Sequence, residues 1–387
     1  MRTAFVHDWL VTYRGGEKVL EAMIGLYPEA PIFTLFYDPA SMPTSIKNRN
    51  IIVPRALNKL KPLRKALLPC LPALIESLPL TDYDLIISSS SCVAKGIIPA
   101  PHAKHLCYLH SPMRYLWDQR DEYTRELKFI PGLTTAISIL SSRLRLWDIT
   151  SSTRVDRFVA NSNFVADRVR RYYNRDASVV HPPIELARFT AGPLPDSKEL
   201  QDSYFVAAGA FVSYKRFDLA IKACERIGAK LIVAGVGPYE KKLRALGGTT
   251  TTFEVSPSDD RWVSLLRGAK ALIFPGVEDF GMIAIETMAC GTPVIALKCG
   301  GAMDFIQTQG AELPTGSFFG DRGMLSDDEA LISSLCDTLT SFDRRAFDSQ
   351  KIRAFANGFS RDHFLTQMKK EIEDLTKNSR RVHTYEA

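Results

Sequence analysis

Two carboxylates eight residues apart, Glu278 and Glu286, are the side chains in this sequence whose type and spacing most clearly suggest chemistry. They follow an apolar run at residues 271–275 that predicts a buried strand, and the residues after Glu278 predict a helix. A helix N-terminus presents free backbone N–H groups that bind anions, and a carboxylate accepts hydrogen bonds from sugar hydroxyls. The segment therefore predicts a pocket for an anion or a sugar after a strand.

This segment resembles the Glu-x7-Glu signature of retaining family-4 glycosyltransferases, which have the GT-B fold. The likeness includes the flanking phrases Phe-Pro-Gly at 274–276 and Ala-Cys-Gly-Thr-Pro-Val at 289–294. The resemblance implies a nucleoside-diphosphate sugar as the donor, with Glu278 as a catalytic residue on the sugar hydroxyls and Glu286 on the ribose. It also implies that the donor is contacted by the start of the helix: Phe280, Gly281 and Met282.

Two glycine turns add to this prediction. Gly15 and Gly16 join the first predicted strand to the first predicted helix, and Gly235 and Gly237 end a later strand. Glycines let the backbone approach a ligand, although a plain tight turn is the alternative. The first turn is not Gly-x-Gly-x-x-Gly, which argues against a dinucleotide site. In the resembled family the first turn borders the donor phosphates and the second lies near the nucleoside, so all four glycines are expected to bind the donor.

His110 ends a predicted strand, and α/β sheets bind their ligands at strand carboxyl ends. The residues Ser-Pro-Met-Arg follow it, and the phrase resembles a His-Ser/Thr-Pro-x-Arg segment of mannosyltransferase-like family members. The resemblance implies that His110 is a catalytic residue beside the transferred sugar and favours GDP-mannose; a structural histidine is the alternative. On the acceptor side we expect four residues: His7, Asp8, Arg14 and Arg114.

Lys215 and Arg216 stand at a predicted helix start, where positive charge opposes the helix dipole. A bound diphosphate would explain the pair, and an ordinary surface pair is the alternative. We expect both to bind the donor and Lys215 to act in catalysis by stabilising the leaving diphosphate. The resembled family has an Arg where this chain has Ala210, and Arg216, Arg14 or Arg114 is expected to substitute for it.

Asp82 and Asp84 form an Asp-x-Asp pattern of the kind that binds metals in other transferases. They precede a predicted strand, which is the wrong end of a parallel sheet for a ligand. We therefore predict a metal-independent enzyme with no metal site and no cofactor.

Short apolar runs alternate with helical patterns throughout the chain, and the runs lack polar alternation. This pattern predicts an α/β protein with two tandem Rossmann-like, doubly wound parallel sheets. The resemblance implies the GT-B fold with an interdomain cleft. We expect an acceptor-side domain at residues 1–190, a nucleotide-sugar domain at 191–360, and at 361–387 a helix that crosses back to the first domain, followed by a tail.

Charge is unevenly distributed along the chain. Residues 1–190 carry 25 Lys and Arg against 17 Asp and Glu, whereas the remainder carries 24 against 26. A basic first half predicts an anionic partner. Residues 55–68 mix basic side chains with leucines, which favours contact with an anionic membrane surface; a helix with a solvated basic edge is the alternative. Liposome co-sedimentation with anionic and neutral lipid would separate the two.

The seven cysteines are scattered and show no metal-ligand spacing, and no apolar run reaches the roughly 18 residues of a membrane helix. These features predict a cytoplasmic protein, with peripheral contact to the inner face of the cytoplasmic membrane. The predicted function is transfer of a hexose, mannose by preference, with retention, to a lipid-linked or polysaccharide acceptor in cell-surface glycan biosynthesis, with no nucleic acid partner. A sugar-nucleotide epimerase of the same architecture and a non-catalytic nucleotide-sugar-binding protein are the alternatives.

Overall fold

A computed structural model describes residues 1–64, 66–117, 133–190 and 203–378. The chain divides into two compact units. The first comprises Met1–Pro183 together with the segment from Phe364 onward, and the second comprises Ile184–His363. The predicted domain boundary at residue 190 adjoins residues 191–202, which lie outside the described residues, as do residues 379–387 of the predicted C-terminal segment.

The first unit is built on a parallel sheet that is covered on both faces. Its strands are β1 Thr3–His7, β2 Ile32–Thr34, β3 Ile51–Ile52, β4 Leu85–Ser90, β5 Lys104–Leu109, β6 Arg157–Ala160 and β7 Ala177–Val179. Within the described ranges they pair in the order β3-β2-β1-β4-β5-β6-β7. Phe5 packs in one hydrophobic cluster, whereas its neighbours Ala4 and Val6 pack in another. Since successive side chains of a strand point to opposite faces, both faces are buried, as the unbroken apolar runs predict.

Helices cover this sheet. They are α1 Gly15–Met23, α2 Thr44–Lys47, α3 Arg55–Asn58, α4 Leu71–Glu76, α5 Leu133–Ser151 and α6 Asn163–Tyr173. The basic stretch at residues 55–68 is broken into α3 and two single turns that begin at Lys61 and Leu68, each with a proline in its first two positions. Proline lacks the backbone N–H that a continuous helix needs, which is why this stretch forms short pieces.

The second unit repeats the plan with a second parallel sheet. Its strands are β8 Phe205–Ala210, β9 Leu231–Val236, β10 Thr251–Val255, β11 Ala271–Phe274, β12 Val294–Lys298 and β13 Gly316–Asp321. In the residues described, their order is β10-β9-β8-β11-β12-β13. The helices are α7 Leu186–Thr190, α8 Phe217–Ile227, α9 Glu240–Arg244, α10 Asp259–Gly268, α11 Met282–Ala289, α12 Asp328–Ser341 and α13 Ser349–Ala356. The prediction of two Rossmann-like, doubly wound parallel sheets is confirmed.

The final helix, α14 Arg361–Asn378, packs on the first unit. Its apolar residues Phe364, Met368 and Ile372 share a buried cluster with Phe5 and Tyr108. The spacing of four residues places these side chains on one helix face, which is the face that the sheet covers.

A buried histidine links two strands of the first sheet. The ring of His105, in β5, is fully buried; its Nε2 lies 2.8 Å from Ser88 Oγ and its Nδ1 lies 3.1 Å from the carbonyl oxygen of Arg154. Because a carbonyl can only accept, Nδ1 donates to Arg154 and Nε2 accepts from the Ser88 hydroxyl. Burial lowers the pKa of His105 from 6.5 to about 4, against the opposing effects of Arg154 and Asp156.

This histidine predicts a loss of stability on mild acidification. Between about pH 6.5 and pH 4 the unfolded chain binds a proton at His105 that the folded chain refuses, so the free energy of unfolding falls as the pH falls, by about 3 kcal/mol in full. Urea unfolding at pH 7.5 and pH 5, followed by circular dichroism, measures the change. The variant His105→Gln should lose less stability over this interval than the wild type. An equal loss in both proteins would show that His105 does not contribute.

Candidate functional site

The strand order of the second sheet reverses beside β8. The chain passes from β8 to β9 on one side and later places β11 on the other side. Loops that leave the carboxyl ends of β8 and β11 therefore diverge, and α/β sheets bind ligands at such a switch point. The same reversal occurs in the first sheet, where β1 lies between β2 and β4.

An ion pair lies at the switch point of the second unit. Lys215 ends the single turn after β8, and Glu278 lies in the loop between β11 and α11. The Nζ of Lys215 donates to Oε1 of Glu278 at 2.5 Å, and the two side chains are 11% and 13% exposed. The ammonium group also lies 5.9 Å from the centre of the Phe274 ring. The pair is mostly covered and still reaches the surface, so a ligand can contact it.

Two glycines allow the backbone to close around this pair. A Cβ atom on Gly276 would lie 2.4 Å from the carbonyl oxygen of Tyr214 and 2.9 Å from Cα of Lys215, so the loop after β11 rests on the turn that carries the lysine. Gly235 has a φ of +146°, and a Cβ atom there would lie 1.8 Å from the carbonyl oxygen of Gly209. A side chain at position 276 would push the loop after β11 away from the turn after β8, and one at position 235 would push the ends of β8 and β9 apart.

The end of β9 offers a flat apolar edge. A Cβ atom on Gly237 would lie 2.5 Å from the carbonyl oxygen of Phe211, so this turn also packs backbone against backbone. Val236 is 56% exposed and lies in register with Ala210, the position where the resembled family has an Arg. An exposed valine between glycines suits contact with a planar ring.

The helix α11 begins directly beyond this loop. Gly281 precedes it with a φ of +105°, Met282 is its first residue, and Glu286 lies in its second turn with 9% of its surface exposed. The side chain of Phe280 is buried. It is 3% exposed, and its ring centre lies 5.5 Å from the ring centre of Phe305. This side chain belongs to the core of the second unit, and the predicted contact of Phe280 with the donor stays a prediction.

Arg216 forms ion pairs within the second unit. Its backbone has a left-handed φ of +52°, which turns its guanidinium group towards Asp218 and Asp328 at 3.1 and 2.7 Å. Burial lowers the pKa of Arg216, and the hydrogen bonds to these carboxylates outweigh that effect and raise it. The guanidinium is thus engaged within the second unit, and Lys215 is the member of the basic pair that meets Glu278.

In the first unit, two histidines meet at the switch point between β1 and β4. His7 ends β1 and lies in register with Ser89 of β4. The Ser89 hydroxyl lies 3.1 Å from Nδ1 of His7 and 2.8 Å from Nε2 of His110, which follows β5. Sequence reasoning predicted both histidines and missed Ser89, because the Ser-Ser-Ser run at 88–90 reads as an ordinary strand end.

The glycine turn of the first unit lies against these histidines. Gly15 and Gly16 begin α1, and a Cβ atom on Gly16 would lie 3.6 Å from His110 Nε2 and 3.8 Å from His7 Cε1. Glu17 follows; its Oε1 lies 3.9 Å from His7 Nε2 and its Oε2 accepts from the backbone N–H of Arg14 at 2.9 Å. Burial raises the pKa of the Glu17 carboxyl, and His7 together with the backbone N–H groups of Glu17 and Arg14 outweighs burial and lowers it.

The carboxylate of Asp8 is buried and holds a neighbouring loop. Its carboxylate accepts hydrogen bonds from the backbone N–H groups of Ser91, Cys92, Val93 and Ala94 at 2.6–2.9 Å, and it is 1% exposed. The carboxylate thus holds the loop after β4 in place, and the predicted contact of Asp8 with the acceptor stays a prediction.

The remaining predicted residues lie at the surface of the first unit. Arg14 is exposed and Arg114 is half-buried. Asp84 accepts from the backbone N–H of Arg2, at the amino end of the sheet. Among the described residues, no cluster of three or more His, Cys, Asp or Glu side chains has the arrangement of a metal site.

Leu60 and Leu63, in the basic stretch, are 42% and 58% exposed, whereas Lys61 pairs with Asp38 at 2.9 Å. Lys65 lies outside the described residues. The described helices include none with the length and apolar character of a membrane span. Contact of this stretch with a membrane surface stays a prediction.

Two family models match the chain. The model for glycosyltransferase family 4 matches residues 19–188, and the model for glycosyl transferases group 1 matches residues 195–323. The D-inositol 3-phosphate glycosyltransferase of Mycobacteroides abscessus is 31% identical over 167 residues. That match covers 38% of this chain and 38% of the relative, and the chain spans about two fifths of the length of the curated relatives that it matches.

Solved structures share the fold over nearly the whole chain. Anabaena HepE in complex with UDP has a TM-score of 0.68 at 15% identity, covering 97% of this chain and 100% of that one. The sucrose-phosphate synthase of Thermosynechococcus elongatus has a TM-score of 0.67 at 17% identity, with 98% and 100% covered. At these identities the likeness concerns the fold.

Proposed function

We propose that this chain, which carries the two domains of the GT-B glycosyltransferases, transfers a hexose from a nucleoside-diphosphate sugar to a hydroxyl group of a lipid-linked or polysaccharide acceptor, with retention of configuration. The observation that carries the proposal is the pairing of Lys215 with Glu278 at the switch point of the second unit. A partly covered cation beside a carboxylate and bare glycine backbone suits a ligand that combines phosphate with sugar hydroxyls.

The ion pair explains how the donor would be received. Before binding, the charge of Lys215 is balanced by Glu278. A diphosphate brings its own negative charge, so the ammonium group would turn to it and the carboxylate would accept hydrogen bonds from the sugar. As the bond between the anomeric carbon and the phosphate oxygen breaks, Lys215 stabilises the charge that develops on the diphosphate.

Retention follows if the acceptor attacks from the face that the diphosphate leaves. The acceptor oxygen forms a bond to the anomeric carbon while the bond to phosphate breaks, and the acceptor proton passes to an oxygen of the departing diphosphate. This route needs no protein nucleophile and no metal ion. Glu286 would hold the ribose from α11, and Val236 with Gly235 and Gly237 would contact the base.

The nucleotide base and the sugar of the donor are best assigned by experiment. The His110 segment favours GDP-mannose as the donor. Anabaena HepE, which shares the fold, was solved in complex with UDP. The sequence relatives are named for the glycosylation of D-inositol 3-phosphate. The test incubates the protein with radiolabelled GDP-mannose, UDP-glucose and related donors, with lipid-linked sugar or inositol phosphate as acceptor. Transfer, or slow hydrolysis without acceptor, supports the proposal. Isomerisation of the donor would indicate an epimerase instead. Binding of the donor without turnover would indicate a non-catalytic binding protein.

Replacement of the carboxylate at Glu278 should abolish most turnover. With the donor that the panel identifies, Glu278→Gln should lower kcat by about a hundredfold or more, because the amide keeps the size and loses the charge of a preorganised contact. The matched control is Glu312→Gln, which changes an exposed carboxylate in the same unit. Turnover of Glu278→Gln at the wild-type rate would rule out the assigned site.

Lys215 should determine the affinity for the diphosphate. Loss of one charge-assisted hydrogen bond of about 1.5–3 kcal/mol predicts that Lys215→Met weakens binding of the nucleoside diphosphate by about ten- to a hundredfold. Calorimetry should show a smaller loss of affinity for the nucleoside monophosphate. The control variant Lys222→Met changes a lysine of helix α8 in the same unit and should bind both nucleotides as the wild type does.

Turnover should also survive EDTA, since Lys215 supplies the positive charge. Loss of activity on chelation that Mg²⁺ or Mn²⁺ restores would contradict this assignment and make Asp82 and Asp84 candidates again.

A further inference from the structure

Four polar side chains of the first unit form a continuous chain beside the glycine turn. Glu17 Oε1 lies 3.9 Å from His7 Nε2, His7 Nδ1 lies 3.1 Å from Ser89 Oγ, and Ser89 Oγ lies 2.8 Å from His110 Nε2. Glu17, His7 and Ser89 are 6%, 5% and 0% exposed. The chain thus runs from a buried carboxylate to His110 through groups that water hardly reaches.

The order of protons along this chain is linked at every step. A hydroxyl has one proton to donate, so if Ser89 donates to one histidine it must accept from the other. The carboxylate of Glu17 favours a proton on the His7 nitrogen that faces it, which is Nε2. His7 Nδ1 then accepts from Ser89, and Ser89 accepts from Nε2–H of His110.

Addition of a proton to His7 reverses this order. His7 Nδ1 then donates to Ser89, and the Ser89 hydroxyl donates to His110 Nε2, which moves the proton of His110 to Nδ1. The state of one histidine therefore sets which nitrogen of the other carries a proton.

We propose that Glu17, His7 and Ser89 are positioning residues that fix the tautomer and ring orientation of His110. The proposal rests on the proposed function and on the prediction from the sequence that His110 acts beside the transferred sugar. A defined tautomer matters there because a ring nitrogen can either donate to a sugar hydroxyl or accept from it.

The groups packed around the chain are consistent with this role. The carboxylate of Asp8, next to His7, is occupied by backbone N–H groups at 91–94. The Tyr108 ring lies 5.2 Å from the His110 ring, and its hydroxyl donates to the carbonyl of Val180. The amide of Asn161 donates to the carbonyl oxygen of His110. These contacts hold the backbone and ring of His110, and the Ser89 hydroxyl is a partner of its Nε2.

The neighbouring serine provides a contrast within the same strand. Ser88 bonds to His105 at 2.8 Å, in the same way that Ser89 bonds to His110. The other nitrogen of His105 meets a backbone carbonyl, which can only accept, so that pair has one fixed proton order. The chain through Ser89 instead ends on a carboxylate and a second histidine.

The test measures the tautomer directly in the free protein. Long-range ¹H–¹⁵N spectra of histidine-labelled protein at pH 8 should show His110 with its proton on Nε2. In Ser89→Ala the two ring nitrogens should shift towards a mixture of tautomers. Ser88→Ala should leave His110 unchanged and alter His105 alone, and Ser89→Thr, which keeps the hydroxyl, should restore the wild-type tautomer. A His110 spectrum that is the same in Ser89→Ala and the wild type would overturn the proposal.

A kinetic readout connects the tautomer with the reaction. Ser89→Ala should lower kcat by at least about tenfold, as a wrong histidine tautomer does in hydrolytic triads, and leave the KM for the donor unchanged. A loss of the tautomer without a loss of kcat would overturn the role in catalysis. If the wild type itself transfers no sugar, the proposed function fails, and the spectra still decide whether Ser89 orders the proton of His110.

Discussion

The reversal of strand order beside β1 in the first sheet and beside β8 in the second is the constraint on which the candidate residues of each unit depend. In a parallel sheet each strand carboxyl end releases a loop towards the same edge, and only at the reversal do neighbouring loops part. His7 and Ser89 stand at the reversal of the first sheet, and Lys215 and Glu278 at that of the second. The topology of each sheet thus brings these candidate residues together, although they are far apart in the sequence.

Two ion pairs of the described residues, one sealed from solvent and one partly exposed, show how similar chemistry can serve different ends. Lys95 and Asp148, in the first unit, are 1% and 0% exposed, and Lys95 Nζ also donates to Ser151. Removal of one partner from a sealed pair of this kind costs about 3–5 kcal/mol, so this pair fixes α5 to the sheet. Lys215 and Glu278 are 11% and 13% exposed, so this pair reaches the surface, and such pairs contribute little net stability.

Much of the fold could be predicted from the sequence because the buried strands are unbroken apolar runs. The apolar run at 271–275 predicted β11, Ala271–Phe274, within one residue. The two-residue β3 and the half-buried β7 were not predicted, because short edge strands carry little apolar signal. The helix Leu133–Ser151 was also missed; its apolar residues do not cluster on one face, and Ile139 and Leu146 are 56% and 64% exposed.

The site was predicted less completely than the fold, for a physical reason. A motif states which residue stands in a loop, whereas the direction of its side chain depends on partners far away in sequence. Arg216 turns to Asp328, 112 residues away, and Asp8 to the loop that begins at Ser91. Glu278 and Lys215, 63 residues apart, were each singled out, but their direct contact was visible only in the structure.

The most direct test of this account is a crystal structure with a nucleoside diphosphate bound. The account predicts that Lys215 Nζ leaves Glu278 and lies about 3 Å from an oxygen of the terminal phosphate, with the Glu278 carboxylate turned to the space where the sugar would lie. A nucleotide bound with the Lys215–Glu278 pair intact, and with its phosphates held by other residues, would contradict it.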